Sequence, residues 1–291
     1  MTRKRKVRWL FIVAFIAYNV AAHFAGYSIV TQFAGYAGVR ASLFATYVAG
    51  GATGCSLSAA MNVINADLGS RARNLARRSE VIGAEGDLVQ HRTPYGDFWS
   101  PVGTDVSFLL AEEELDLYRA DDPVQGVRPG DIVLDCGANV GTFVRKALAA
   151  GASKVAAIEI SPRNIEALKK TFAAEIADGR VVVVPEGVWH EDSTLQLSFY
   201  KNSALDSVVM RERVDFIKMD IEGAERNALR GAAATLKKFR PRLAIAAENL
   251  PDDVSEIPSV VAASVPDYKF EVGECRLLSP GLIRPEVLHF Y

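Results

Sequence analysis

The sequence predicts an α/β fold, a doubly wound and mostly parallel sheet preceded by membrane helices near the N-terminus. Two observations predict it. From Asp131 to Tyr291 short apolar runs alternate with amphipathic stretches of helical length, the pattern of parallel strands joined by crossover helices. Before residue 67, two long runs, Trp9 to Val39 and Ala41 to Ala66, contain no Asp, Glu, Lys or Arg.

The first of these runs follows Arg3, Lys4, Arg5, Lys6 and Arg8. A bilayer crossing takes ~20 apolar residues, so a helix over about 8–30 fits, and the run exceeds the ~7–15 apolar residues of a signal peptide. The second run, expected as a helix over about 41–64, is rich in Gly, Ala and Ser. That composition suits close helix packing in lipid, or equally a small-residue soluble helix or loop. Arg71, Arg73, Arg77 and Arg78 follow it. Basic clusters at both outer ends fit a two-helix hairpin with the remaining domain on the cytoplasmic side. The expected division is therefore an anchor over 1–66, a polar helical connector over 67–90 and one domain over 91–291.

Within that domain, His91 to Pro101 reads as a short hairpin and Val106 to Ala120 as an amphipathic helix, with Arg128 to Gly130 a turn. Asp131 to Cys136 is the first strand of the repeating pattern, followed by a helix from Gly141 to Gly151. Lys154 to Ile160 is the second strand, and Ser161-Pro162 starts the next helix. Val181 to Val184 and Val214 to Asp220 are the third and fourth strands. A helix over 221–238 leads to the fifth strand, Arg242 to Asn249. Tyr268 to Val272 and Glu286 to Tyr291 close the chain as strands.

Composition narrows the function. The 291 residues carry a formal net charge of -2, so no overall field recruits nucleic acid. Cys55, Cys136 and Cys275 are far apart, there is no CxxC pair, and the four histidines are scattered. Neither a metal site nor a disulfide framework is expected.

Ligands in open α/β sheets bind beyond the carboxyl ends of the strands. The first strand ends in LDCGANVGTF, spaced DxGxNxG rather than the GxGxxG of dinucleotide binding. Gly137 lets the backbone approach a ligand, and Gly141 lets the helix start tightly. Glu159 ends the second strand, where an acid suits two ribose hydroxyls. Asp135 beside the loop favours a ligand with ammonium or sulfonium charge over a pyrophosphate, hence S-adenosylmethionine over NAD. The fourth strand delivers three acids, Asp220, Glu222 and Glu225, to the same edge.

VLDCGANVGTF, AIEISPRNIEALKKTF, PEGVW and above all VDFIKMDIEGAE resemble the FkbM-type methyltransferases, class I S-adenosylmethionine-dependent enzymes. The resemblance covers roughly Tyr95 to Tyr291. It implies a seven-stranded sheet whose last strand is antiparallel, and O-methylation of a sugar, glycolipid or secondary metabolite. By that resemblance Gly137, Asn139 and Gly141 line the methionine end of the cofactor with Asp135 close behind, Glu159 holds the ribose, and Glu186 meets the adenine.

Asp220 is the expected general base, with Glu222 as alternative or acceptor-orienting partner. Glu225 serves there too or simply complements the helix dipole. Lys218 is expected to pair with Asp220 or Glu222, and Glu248, ending the fifth strand, to meet substrate. The family usually carries a further strand, a TTLD-like turn and a helix between the third and fourth strands. Here Pro185 to Arg213, with SALD at 203–206, is shorter. The rival readings are an NAD-binding oxidoreductase and a cofactor-binding relative without an acceptor site.

Overall fold

The computed structural model describes residues 29–191, 193–195, 200–204 and 213–291. In chain order these form helices α1 (Ile29–Val48), α2 (Leu57–Met61) and α3 (Asn65–Arg78), then strands β1 (Glu80–Glu85), β2 (Leu88–Thr93) and β3 (Gly96–Pro101), and helix α4 (Val106–Glu114). The repeating part follows as β4 (Ile132–Cys136), α5 (Thr142–Ala149), β5 (Lys154–Ile158), α6 (Pro162–Thr171), α7 (Ala173–Ala177) and β6 (Val181–Val184). Next come β7 (Gly187–Trp189), β8 (Ser193–Leu195), β9 (Tyr200–Ala204), β10 (Phe216–Met219), α8 (Glu225–Arg230), α9 (Ala233–Phe239) and β11 (Arg242–Ala246). The chain closes with α10 (Asp253–Ser264), β12 (Phe270–Val272), β13 (Cys275–Ser279), β14 (Leu282–Pro285) and β15 (Val287–Phe290).

The central sheet has seven strands in the order β12-β15-β11-β10-β4-β5-β6. β15 runs antiparallel to both its neighbours, while β11, β10, β4, β5 and β6 are parallel. Side chains alternate between the two faces of a strand, and each face has its own core. Val133, Phe216 and Ala244 pack on one side with Phe143 and Phe172. Leu134, Ile217, Met219, Leu243 and Ile245 pack on the other with Leu236 and Phe290. Burying each large side chain of this kind contributes about 1.5–3 kcal/mol, so the sheet edge that carries the acids rests on a rigid base.

Residues 8–28 of the expected first membrane helix lie outside the described residues. The second expected membrane helix, over 41–64, is not formed. α1 ends at Val48, a turn follows, and α2 begins at Leu57. No described helix is long and apolar enough to cross a membrane. Leu43, Cys55 and Ala60 are instead buried against Cys275 and Ile283. Ile283 donates its backbone N–H to the Gly51 carbonyl at 2.7 Å, and Ile64 donates to the Cys275 carbonyl at 3.0 Å. The small, uncharged residues pack on a β-hairpin, β13 with β14, which the sequence reading did not anticipate.

A Cys55–Cys275 disulfide, 220 residues apart in sequence, fixes that packing and corrects the expectation that no disulfide forms. Such bonds persist in oxidising environments, which is at odds with the cytoplasmic placement drawn from the flanking arginines. Cys275→Ser should lower stability by about 2–4 kcal/mol in chemical denaturation without reductant. Equal stability of variant and wild type would mean that the bond contributes nothing.

The connector also differs from expectation. α3 ends at Arg78, and residues 80–85 form an outer strand of a three-stranded antiparallel sheet with β2 and β3. Between β6 and β10, the short segment forms a second three-stranded sheet, order β7-β9-β8, in place of a longer strand-turn-helix insertion. Residues 205–212, including the end of SALD, lie outside the described residues.

Candidate functional site

β4 ends at Cys136, and the chain turns through three left-handed positions, Gly137 (φ 80°), Asn139 (φ 50°) and Gly141 (φ 90°), before α5. A Cβ on Gly137 would lie 1.8 Å from the Asp220 carbonyl oxygen, so only glycine lets this loop close on the end of β10. A Cβ on Gly141 would lie 2.3 Å from the Phe172 ring. That glycine therefore lets α5 approach Phe172, just beyond α6.

A cavity of about 390 Å³ opens beyond the carboxyl ends of β4, β5 and β10, where open α/β sheets hold ligands. Of the residues singled out from sequence, Gly137, Asn139, Glu159, Glu186, Asp220 and Glu222 line it together, as does Lys218. Four others do not, Glu225 among them. Gly141 and Asp135 lie behind the loop, and Glu248 lies outside the lining.

Glu159 is nearly buried, at 8 % exposure. Its Oε1 accepts from the backbone N–H groups of Ile160 (2.8 Å) and Ser161 (2.7 Å), and its Oε2 from that of Asn139 (2.8 Å). A carboxylate has about four acceptor positions. Three are engaged, so Glu159 ties the glycine loop to the end of β5 and keeps room for one further donor.

Lys218 does not pair as expected. The β4–β10 register sets it directly opposite Asp135, and both project to the same face of the sheet. Its ammonium lies 3.2 Å from Asp135 Oδ1 and donates to the Gly137 carbonyl at 2.8 Å. Desolvation opposes the charge of Lys218, yet Asp135 and Asp220 hold its pKa above the ordinary value. Burial raises the pKa of Asp135, with Lys218 opposing. This pair fastens the loop to β10 from beneath.

Asp220 continues β10, its backbone N–H donating to the Cys136 carbonyl at 3.0 Å. The only described side chain hydrogen-bonded to its carboxylate is Tyr118, whose hydroxyl donates to Oδ2 at 2.8 Å. Glu222 is left-handed (φ 57°) and exposed on the cavity wall. Glu225 is turned away from the cavity. Its Oε1 accepts from the backbone of Ile221 at 2.8 Å and from Asn249 at 3.2 Å, bracing the turn that precedes α8.

Several lining residues carried no sequence signal. Glu112 and Glu113, on the last turn of α4, join Tyr118 on the wall facing the sheet, and Asn164 and Trp189 line the other end. Burial pushes Glu112 up to about 7 and Glu113 up to about 8. Near the same edge, burial and then the charges of Glu286 and Asp220 push Glu248 up to about 9. Amphipathic spacing placed α4 as a helix, but nothing in it marked these side chains as facing a cavity.

A family model for the methyltransferase FkbM domain matches residues 201–271, which include β10 and the Asp220 turn. Over those residues the chain is similar to FkbM-type methyltransferases. Among solved structures, the FkbM methyltransferase of Methylobacillus flagellatus KT is similar to it at 19% identity with a TM-score of 0.52. That match spans 79% of this chain and 61% of the other, so this chain covers less than two thirds of that structure's length. Trm5b from Pyrococcus abyssi aligns at 17% identity and TM-score 0.46, over 72% of this chain and 56% of its own. TYW2 of M. jannaschii, in complex with AdoMet, aligns at 14% identity and TM-score 0.46, over 72% and 88%. Comparison with curated proteins gave no match.

The residues present fit S-adenosylmethionine, the cofactor that the resemblance implies. The glycine loop leaves a cradle that a side chain on Gly137 would disrupt. Glu159 retains an acceptor position, and the wall is acidic where a sulfonium and an ammonium would lie. Among the described residues no group of His, Cys, Asp and Glu is arranged to hold a metal ion.

Proposed function

We propose that this protein transfers a methyl group from S-adenosylmethionine to a hydroxyl of a small-molecule acceptor, of the sugar, glycolipid or secondary-metabolite kind. The observation that carries the reading is the position of Asp220, a carboxylate on the cavity wall whose backbone packs directly against the glycine loop. When bound, S-adenosylmethionine supplies a methyl group already activated by its sulfonium charge. The chain's own task is then to bind, align and deprotonate.

Gly137 and Asn139 line the methionine side, Glu159 accepts one ribose hydroxyl, and Glu186 stands at the adenine side. Asp135 and Gly141 support this wall from behind. Asp220 takes the proton of the acceptor hydroxyl as the methyl group moves to oxygen, work for which a placed base contributes roughly 10²–10⁴-fold. Glu222 orients the acceptor. Tethering to a membrane through the uncharged run before residue 40 belongs to the same proposal.

Glu159→Ala should weaken S-adenosylmethionine binding by about 10- to 100-fold, since a charge-assisted hydrogen bond to the ribose and the acceptor for Asn139 are lost together. Titration calorimetry reads this directly. Unchanged affinity would remove Glu159 from the cofactor site, and tighter binding of NAD than of S-adenosylmethionine would favour an oxidoreductase.

A further inference from the structure

We infer that Tyr118 is a positioning residue that aims Asp220, holding Oδ2 so that Oδ1 faces the acceptor. The inference rests on the reading of Asp220 as base. It goes further by naming the group on a separate segment, 102 residues away, that sets the orientation of the carboxylate.

Tyr118 is fixed on all sides. It is buried, at 8 % exposure, and its ring meets Phe143 edge-on with centroids 5.8 Å apart. Phe143 stacks in turn on Phe216 of β10 at 6.0 Å, so tyrosine and aspartate are referred to the same strand. The Lys218 ammonium lies 5.2 Å from the centre of the tyrosine ring. The backbone on either side is in a rarely populated conformation. Asp116 (φ 52°) and Arg119 (φ 51°) are both left-handed without being glycine. Strain of this kind collects at functional sites.

The electrostatics give Asp220 a need for that donor. Lys218, its neighbour on β10, is committed to Asp135 and to the Gly137 carbonyl. The acids facing Asp220 are Glu112 on α4, Glu248 beyond β11, Glu286 beyond β14 and Glu225 on α8, and after burial the Asp220 charge helps to raise the pKa of each. Arg276 on β13 is spent on Glu112 and Glu286. No described cation makes an ion pair with Asp220, and among the described residues the phenol is the one hydrogen-bond donor to its side chain. Burial and the Asp220 charge hold the phenol well above its ordinary pKa, so it remains a donor across the working range. With Oδ2 occupied, Oδ1 is the oxygen left to accept a proton.

The test reads Asp220 itself and needs no acceptor. In protein labelled with ¹³C at aspartate side chains, the Asp220 carboxyl resonance is assigned by its absence in Asp220→Asn. In Tyr118→Phe its titration midpoint should rise by about one pH unit, the worth of one hydrogen bond to a charged group. Affinity for S-adenosylmethionine should stay within about twofold, marking the variant as folded. Should the variant fail to fold, uniform 3-fluorotyrosine supplies an isosteric and more acidic donor, and the midpoint should fall instead.

An unmoved midpoint in both would overturn the inference, because a merely structural tyrosine has no reason to shift it. A moved midpoint together with a fully active Asp220→Asn would keep the Tyr118–Asp220 coupling and reject the base assignment. The two failures are thus distinguishable.

Discussion

Replacing Asp220 with Asn should lower turnover by about 10²–10⁴-fold, the range that one positioned general base supplies, with little change in affinity for S-adenosylmethionine. Asn keeps the size of the side chain and can still accept the Tyr118 hydrogen bond seen at Oδ2. It cannot take a proton from an acceptor hydroxyl. The backbone of Asp220, which meets Gly137, is unaltered. A fall in kcat without a matching fall in cofactor affinity is therefore the signature of a base. It is measured by steady-state kinetics on a hydroxylated acceptor that the wild type turns over, beside a calorimetric titration of cofactor. Wild-type turnover would end that role and leave Glu222 as the remaining lining carboxylate of the same turn.

The second large effect is expected from Gly137→Ala. The added Cβ meets the Asp220 carbonyl oxygen at 1.8 Å, a backbone atom that cannot swing aside, at a position with φ 80°. The left-handed conformation alone costs an alanine about 1–3 kcal/mol, and relieving the clash forces β4 and β10 apart at the cavity. Loss of stability and loss of cofactor binding should appear together, unlike the separation expected for Asp220→Asn. Thermal denaturation and cofactor titration on one sample check this. Wild-type stability in the Gly137→Ala variant would mean that the loop does not close on β10 as described. Gly141→Ala provides a contrast, since its clash is with the Phe172 ring, and stability should suffer more than cofactor contacts.

The parallel sheet was legible because its strands are short apolar runs ending in glycine or acid. IVLDC, KVAAI, VVVV and FIKM fall within a residue or two of their expected limits. The acids at those ends were legible for the same reason, which is why Glu159, Asp220 and Glu222 emerge on one cavity. What lay hidden depends on partners distant in sequence. Lys218 pairs with Asp135 because of the β4–β10 register, which no local pattern specifies. Tyr118 sits in a strained turn whose ordinary composition gives no sign of it. The 41–64 segment looks alike whether lipid or a β-hairpin covers its small residues. The hairpin that does so, CRLLS with LIRP, alternates too weakly to read as strands. Cys55 found its partner 220 residues away, beyond any spacing argument.

The measurement that bears most directly on the account is a structure with S-adenosylhomocysteine bound. The account predicts the ribose against Glu159, the homocysteine end over Gly137 and Asn139, and the sulfur facing an open space bounded by Asp220 and Tyr118. Binding elsewhere, or a sulfur walled off from Asp220, would contradict the assignment of this cavity as a methyl-transfer site.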